Sequence, residues 1–244
     1  MKKVAGHSKW SNIKDRKGAQ DKKRGKIFQR LVKEIYQAAK DGGGDPETNP
    51  ALRLAMDNAK ANNMPNDNVE RAIKRATDPS ASANYNEIIY EGYGPGGVAI
   101  LVETLTDNTN RTSTHVRTAF TKNGGTLGEK GSVNYMFERK GYIAIERIDL
   151  ELDEDTMLMT VLEAGAEDLE TSDEVFEIYT ERSDFAAVRD ELEKDFKLAQ
   201  AELIMLPTMY VLLEGDAVER FNKLVEVLED DDDVNDVYHN AELL

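Results

Sequence analysis

The sequence predicts an α+β protein: an N-terminal three-helix bundle followed by two α/β domains, one of them ferredoxin-like and inserted in the other. Three observations carry this. Through residue 78 apolar side chains recur at helical spacing; near residue 85 the pattern switches to short runs of branched and aromatic residues; and from about Phe137 a complete β-α-β-β-α-β order is readable, with unfinished α/β material on either side. The bounds that follow are 1–80 for a basic segment and the bundle, 81–134 with 207–244 for a discontinuous α/β domain, and 135–206 for the inserted domain.

Each element has its own reason. From Gly25 onward Ile27, Leu31 and Ile35 recur every four residues with Phe28, Val32 and Ala39 beside them, which makes one wide apolar helical face. Asp41-Gly42-Gly43-Gly44 ends it, because glycine accepts the left-handed turn that closes a helix. A second helix follows "DPETNP" with Leu52, Ala55, Met56 and Ala59 on one side. A third starts near Pro65, capped by Asn66 or Asp67, and turns Val69, Ala72, Ile73 and Ala76 inward.

After "TDPSASAN", the runs "NEIIYEG" and "GVAILVETLT" read as antiparallel strands joined through "YGPG", with the second starting at Val98. A helix with Val116, Ala119 and Phe120 ends at Asn123-Gly124-Gly125. The inserted unit then runs from strand "GYIAIE" through a helix with Leu158, Val161 and Leu162 inward, two strands around Asp168 and "VFEIYT", a helix with Phe185, Val188, Leu192 and Phe196, and strand "AELIML". What remains, "TMYVLLEG", a helix with Ala217, Phe221, Leu224, Val225 and Leu228 inward, and "DVYHN", has no sheet of its own. These pieces are expected to complete the sheet begun before the insertion, with Pro207 near the return crossing.

Composition sets limits on function. The 244 residues are 40% hydrophobic, ample for a packed core. There is no cysteine, so disulfides and thiolate metal sites are excluded. No apolar leader or membrane-length run is present, which makes the cytoplasm the expected location and a membrane an unexpected partner. The net charge of −16 hides an asymmetry: residues 1–80 hold 18 Lys and Arg against 10 Asp and Glu, whereas the other 164 residues carry a balance of −24. A local anion-binding surface on an acidic body is the consequence.

That surface is "GHSKWSNIKDRKGAQDKKRGKIFQRL", where Lys9, Lys14, Arg16, Lys17, Lys22, Lys23, Arg24, Lys26 and Arg30 are interrupted by Asp15 and Asp21 alone. Such cations neutralise phosphates, and Trp10, the chain's one tryptophan, offers a face on which a base can stack. The pattern points to nucleic acid and leaves DNA and RNA both open.

Other motifs carry blander readings. "GYGPGG" is followed by a strand instead of the helix that a phosphate loop needs, and "NGGTLGEKGS" has the wrong lysine order for a nucleoside-triphosphate loop. His7, His115 and His239 have no partner at metal-ligand spacing, and His115 reads as a surface residue. Arg111 and Arg117, near the start and in the middle of the helix after "TDNTN", are suited to an anion, but a capped helix accounts for the same letters. "EDDDD", residues 229–233, reads as a solvated acidic turn. No catalytic constellation, metal site or cofactor motif emerges, so a non-enzymatic protein is expected.

The segments "AGHSKWSNIKDRK", "RGKIFQRL", "GGGDPETNPALR", "NNMP", "ERAI", "IIYEGYGPGG", "DNTNRT", "GSVNYMF" and "LEAGAED" occur in this order, and together they resemble the YebC/PmpR family over nearly the whole chain. The resemblance implies three domains, an N-terminal helical bundle and two α/β domains with one inserted in the other. It also implies a DNA-binding transcriptional regulator, with mitochondrial relatives acting as translational activators, so ribosomal or transfer RNA is the alternative partner. By position the family's basic motif falls on Gly6, His7, Ser8, Lys9, Trp10, Asn12, Lys14, Arg16 and Lys17. Asp15 stands where relatives often carry a basic residue or histidine. The acidic domains, held away from phosphate, are expected to be free to contact protein.

Overall fold

A computed structural model describes residues 20–78, 85–148, 150 and 152–243. The described chain forms two compact units, residues 136–208 and residues 20–135 with 209–243, so the first interrupts the second.

The larger unit begins with three helices, α1 (Gln20–Gly42), α2 (Pro50–Ala61) and α3 (Asn66–Thr77). Leu31, Ile35, Tyr36 and Ala39 of α1 are buried against Leu52, Ala55 and Ala59 of α2 and Val69, Ala72 and Ala76 of α3. Ile27, expected on the buried face, is 38% exposed. α2 and α3 pack against the later turns of α1, and the buried face starts at Leu31 with Phe28 half-covered. At the end of α1, Gly43 takes φ +90° and its N–H donates to the Ala39 carbonyl, closing the helix as the glycine run predicts.

Asn49 then links two helices. Its side-chain oxygen accepts from the Leu52 N–H at 3.1 Å, and its amide nitrogen donates to the carbonyls of Ala38 and Gly43, both at 2.8 Å. Asn49 is buried, and these bonds satisfy its amide while capping α2. The expected cap of α3 by Asn66 or Asp67 is not formed: Pro65 occupies the cap position, no side chain caps the helix, and Asn66 is already helical. Proline's fixed φ pre-sets the entry instead.

The same unit contains strands β1 (Asn86–Tyr93) and β2 (Ala99–Thr106), helix α4 (Thr109–Lys122) and the short β3 (Thr126–Leu127) before the interruption. β1 and β2 pair antiparallel from Asn86↔Thr106 to Tyr93↔Ala99, a hairpin closed by Pro95–Gly97. Gly96 has φ +73°, and a Cβ there would lie 2.3 Å from Leu213. The glycine at this turn therefore makes room for Leu213 to pack. β4 (Phe137–Glu146), α5 (Glu154–Glu163), β5 (Asp168–Thr171), β6 (Val175–Glu181), α6 (Phe185–Leu192) and β7 (Gln200–Pro207) then make the inserted unit.

After Thr208 the larger unit resumes with β8 (Val211–Leu213), α7 (Asp216–Glu229), β9 (Val234–His239) and β10 (Ala241–Leu243). Its sheet has the order β3-β1-β2-β9, so β9, starting at Val234, completes a sheet that begins with β1 at Asn86. Val98, Ile100, Val102, Val116 and Phe120 from before the insertion share one core with Leu213, Phe221, Leu224, Leu228 and Val237 from after it. β8 and β10 pair parallel as a small separate sheet.

The inserted sheet has the order β5-β6-β4-β7 with every neighbouring pair antiparallel, the arrangement of a ferredoxin-like fold. α6 lies on the face that carries Gly141: a Cβ on Gly141 would meet Thr180 Oγ1 and the Phe185 ring. The two helices lie side by side, since a Cβ at Gly165 just past α5 would touch Val188 of α6. Met157 and Val161 are the buried residues of α5, whereas Leu162, expected inward, is exposed. A ten-residue helix offers the sheet only a narrow stripe, and Leu162 falls off its edge.

Candidate nucleic-acid interface

Charge is divided more sharply than a two-way split suggests. The inserted unit, residues 136–208, holds 7 Lys and Arg against 21 Asp and Glu, a balance of −14. Residues 1–80 stand at +8, and residues 81–135 with 209–244 at −10, of which −9 falls after residue 208.

Lys9, Trp10, Lys14, Arg16 and Lys17 lie outside the described residues. Lys22, Lys23, Arg24 and Lys26 fall in the opening turns of α1, and their side chains also lie outside the described part. Spacing on α1 still fixes one relation: Lys22, Lys26 and Arg30 follow at intervals of four and so share one side of the helix.

Arg30 has a different occupation from the one expected of a phosphate ligand. Its Nη1 donates to both carboxylate oxygens of Asp236 (3.0 and 3.1 Å) and to the Asn235 carbonyl (3.1 Å), and Nε sits 3.1 Å from Glu34. One turn on, Lys33 Nζ donates to the Asp232 carbonyl at 2.6 Å, to the Leu105 carbonyl at 3.3 Å and to Asp233 at 3.4 Å. The charges of these two residues are compensated within the molecule. They tie α1 to the segment that enters β9.

The hub of that tie is Asp233, whose side chain is 5% exposed. Arg111 grips it with two nitrogens, Nε at 3.0 Å and Nη2 at 2.6 Å, while Thr112 Oγ1 donates at 2.9 Å. Burial opposes the charge, but the hydrogen bonds from Arg111 and Thr112 and the nearby Lys33 together hold the Asp233 carboxyl below the ordinary carboxylate range. Arg111 sits where it does because Asn108 caps α4, accepting from the Arg111 N–H at 3.1 Å. The reading of residues 229–233 as a solvated acidic turn therefore needs correction at its last member. His115, exposed as expected, meets Asp231 at 3.0 Å. The run of five acids and the arginine after "TDN" were both visible in the sequence, but nothing in their spacing pairs residues 122 positions apart.

A second anion site is filled from within. Glu91 accepts from the backbone N–H groups of Gly131 (2.7 Å), Val133 (2.9 Å) and Asn134 (2.9 Å). Although burial works against ionisation, these three donors and Lys130 hold its carboxyl below the usual range. The loop that superficially resembles a phosphate cradle is thus a nest whose anion is a side chain.

The remaining described cations of the bundle are more open. Lys60, Lys74 and Arg75 are exposed; Lys40 and Arg75 approach the Tyr36 ring at 5.7 and 6.0 Å. Arg71 folds back onto the Asp67 carbonyl and Asn68, and Arg53 onto the carbonyls of Pro46 and Glu47. Helix α3 is twelve residues long, with Asp67 and Glu70 among its cations. Among the described residues no group of three or more His, Asp or Glu is placed to hold a metal ion, and no helix is long and apolar enough to cross a membrane.

Known proteins share both the sequence and the fold. A family model described as the TACO1/YebC protein N-terminal domain matches residues 8–79, and one described as the TACO1/YebC second and third domain matches residues 85–241. An Enterococcus faecalis protein named "Probable transcriptional regulatory protein" is 62% identical over 242 residues, 99% of this chain and 100% of the relative. A Geobacillus kaustophilus protein of the same designation is 59% identical over 240 residues, 98% of each chain. The crystal structure of a conserved hypothetical protein from Aquifex aeolicus shares the fold with a TM-score of 0.83 at 42% identity, covering 92% of both chains.

Proposed function

This chain belongs to the TACO1/YebC family, and on that premise we propose that it is a non-enzymatic regulator of gene expression that binds nucleic acid through its basic N-terminal segment and the opening turns of α1. The observation that carries the reading is the localisation of charge. Lys9, Lys14, Arg16, Lys17, Lys22, Lys23, Arg24 and Lys26 fall within eighteen residues of one another in a chain whose net charge is −16, and Arg30, which follows them, is committed to Asp236. A cationic segment on an anionic body concentrates phosphate affinity in one place. Trp10 supplies a stacking surface beside it. The names of the relatives support transcription as the process, and for that process duplex DNA is the polymer we infer.

A second reading is favoured by the acidic body. Past the basic segment a long duplex presents further phosphates, which meet the acidic residues of 136–208 (balance −14) and of 81–135 with 209–244 (balance −10). A folded RNA ends or turns away and is recognised through irregular shape and unstacked bases. The cytoplasm is the compartment in which either polymer is met.

One titration tests both. The full chain is mixed at physiological salt with a candidate promoter duplex, a scrambled duplex and structured ribosomal or transfer RNA of equal phosphate count. Preference for the promoter over scrambled DNA by about tenfold, or about 1.4 kcal/mol, without competition from ribosomes, establishes the DNA reading. Preference for the RNA establishes the other. Failure of all three to bind removes the nucleic-acid reading.

A further inference from the structure

Helix α4 differs in charge from every other described α-helix. α1, α2, α3, α5, α6 and α7 each carry Asp or Glu, whereas α4 carries none. Residues 108–128, which contain it, form the longest stretch of the chain without an acid, although 47 of the 244 residues are Asp or Glu.

The buried side of α4 is accounted for by packing, since Thr112, Val116, Ala119 and Phe120 face the core. The outward side is not. Asn110, Thr114, Arg117, Thr118, Thr121 and Lys122 are exposed. At 3.6 residues per turn they share one broad crest, with Asn110, Thr114 and Thr121 along its middle, Arg117 on one flank and Lys122 on the other. Helix stability gives no reason for threonine there, because Ala, Glu and Lys are better helix formers and the branched side chain loses rotamer freedom. The hydroxyls of Thr114, Thr118 and Thr121 turn back onto the carbonyls four residues earlier, at 2.8, 2.7 and 2.9 Å. Their hydrogen bonding is met within the helix, and the crest is left low, uncharged and open to close approach.

The two flanking cations are uncommitted. Among the described residues neither Arg117 nor Lys122 enters an ion pair or a side-chain hydrogen bond, whereas Arg111 is held by Asp233 and Asp107, and His115 by Asp231. The acids bonded to α4 are therefore already engaged. Lys122, in the last turn, also suits the helix dipole, but Arg117 in the middle has no such reason to be there. Past the end of the helix Arg220 of α7 adds a further cation, its guanidinium 3.9 Å from where a Cβ on Gly124 would lie. At the other end Arg111 and Lys33 of α1 share Asp233, so α4 begins against the helical bundle.

A low crest flanked by two free cations and cleared of carboxylates fits a polyanion whose backbone can lie along it. We propose that the outward face of α4 is a second contact surface for nucleic acid, with Arg117 and Lys122 each neutralising a backbone phosphate. The proposal rests on the nucleic-acid reading above and extends it from the basic segment onto the α/β part of the larger unit. The contact is to phosphodiester backbone, which duplex DNA and structured RNA both present.

The experiment measures binding as a function of salt for the full-length chain and for R117Q/K122Q, with a duplex DNA and a structured transfer RNA as separate probes. Circular dichroism is expected to give the same thermal midpoint for both proteins, since neither side chain is bonded in the fold. The log–log salt slope is expected to fall by about 1.8 for the duplex, or by about 1.4 where the contact is to unpaired strand, the values for two phosphates. A fall with one probe alone identifies the polymer that lies on α4. A second readout locates the contact. The chain has no cysteine, so T118C places a single thiol on the crest, and M159C on the exposed side of α5 serves as the control. Saturating nucleic acid is expected to slow alkylation of T118C several-fold and to leave M159C unchanged.

A salt slope unchanged in R117Q/K122Q while the unmodified chain binds overturns the α4 contact and leaves the basic segment as the interface. Alkylation of T118C that is no slower with nucleic acid, or that slows only as much as M159C, overturns it equally. Absence of binding by the unmodified chain to either probe refutes the nucleic-acid reading itself, and the α4 contact falls with it.

Discussion

At Asp233 a single carboxylate holds together residues from three places in the chain: Lys33 on α1, Arg111 and Thr112 on α4, and the turn before β9. Asp233→Asn keeps the shape and removes the charge, leaving Arg111 and Lys33 without their shared anion. Hydrogen bonds to charged groups contribute about 1.5–3 kcal/mol, and since Arg111 is partly exposed a loss of about 2 kcal/mol is expected in denaturant unfolding. The pH dependence follows from the lowered carboxyl. A carboxyl that ionises more readily folded than unfolded stabilises the protein above the ordinary carboxylate range, and that contribution is lost as pH falls through the folded value. The thermal midpoint should therefore fall on acidification from about pH 5, and Asp233→Asn should flatten this limb. An acid limb of unchanged steepness in the variant would show that other carboxylates carry it.

At the scale of elements, α1 divides by function along its length. Its opening turns hold the cations proposed for phosphate; its middle turns commit Arg30 and Lys33 to Asp236 and the carbonyls around β9. Two substitutions separate these roles. Lys14, Arg16, Lys17, Lys22, Lys23 and Arg24 changed together to glutamine should weaken nucleic-acid binding and lower the salt slope by about 0.7–0.9 log units for each phosphate that is no longer neutralised, with little change in folding. Arg30→Gln should leave that slope unchanged and cost up to about 1 kcal/mol of stability, the range of a partly exposed pair. A slope that drops with Arg30→Gln would return Arg30 to the interface. The apolar faces of α1, α2, α3, α6 and α7 were legible because each repeats at helical spacing. Ile27 and Leu162 were misjudged because periodicity shows which side of a helix is apolar and not how far its neighbours extend. The clasp on Asp233 was illegible for a similar reason: charge pairing across a hundred residues is set by tertiary placement, which local pattern does not encode.

For the whole molecule, the β-α-β-β-α-β order and the unfinished sheet around it were enough to read an insertion from sequence, since β9 has no other sheet to join. Charge was legible only as a sum. Once the units are separated, most of the net charge of −16 is seen to sit on residues 136–208, and this sets what a bound polymer experiences. Phosphates spaced about every 1.7 Å along a duplex continue beyond the basic segment, and each that comes within a Debye length, about 10 Å at 0.1 M salt, of an acidic unit is repelled. Affinity should then fail to rise with duplex length in the usual way. Going from a duplex of about 10 base pairs to one of about 40 adds statistical binding sites, yet at 0.05 M salt, where the Debye length is about 14 Å, the gain per site should fall short of that for a control in which Glu170, Glu177, Glu202 and the exposed Asp168 are glutamine or asparagine. Raising salt to about 0.2 M should shrink the difference between the two proteins, because screening weakens the repulsion, while the affinity of the basic segment falls by the same factor in both. Equal length dependence for both proteins at low salt would mean that the acidic unit stays clear of the polymer, and RNA would then hold no electrostatic advantage over duplex DNA as the partner.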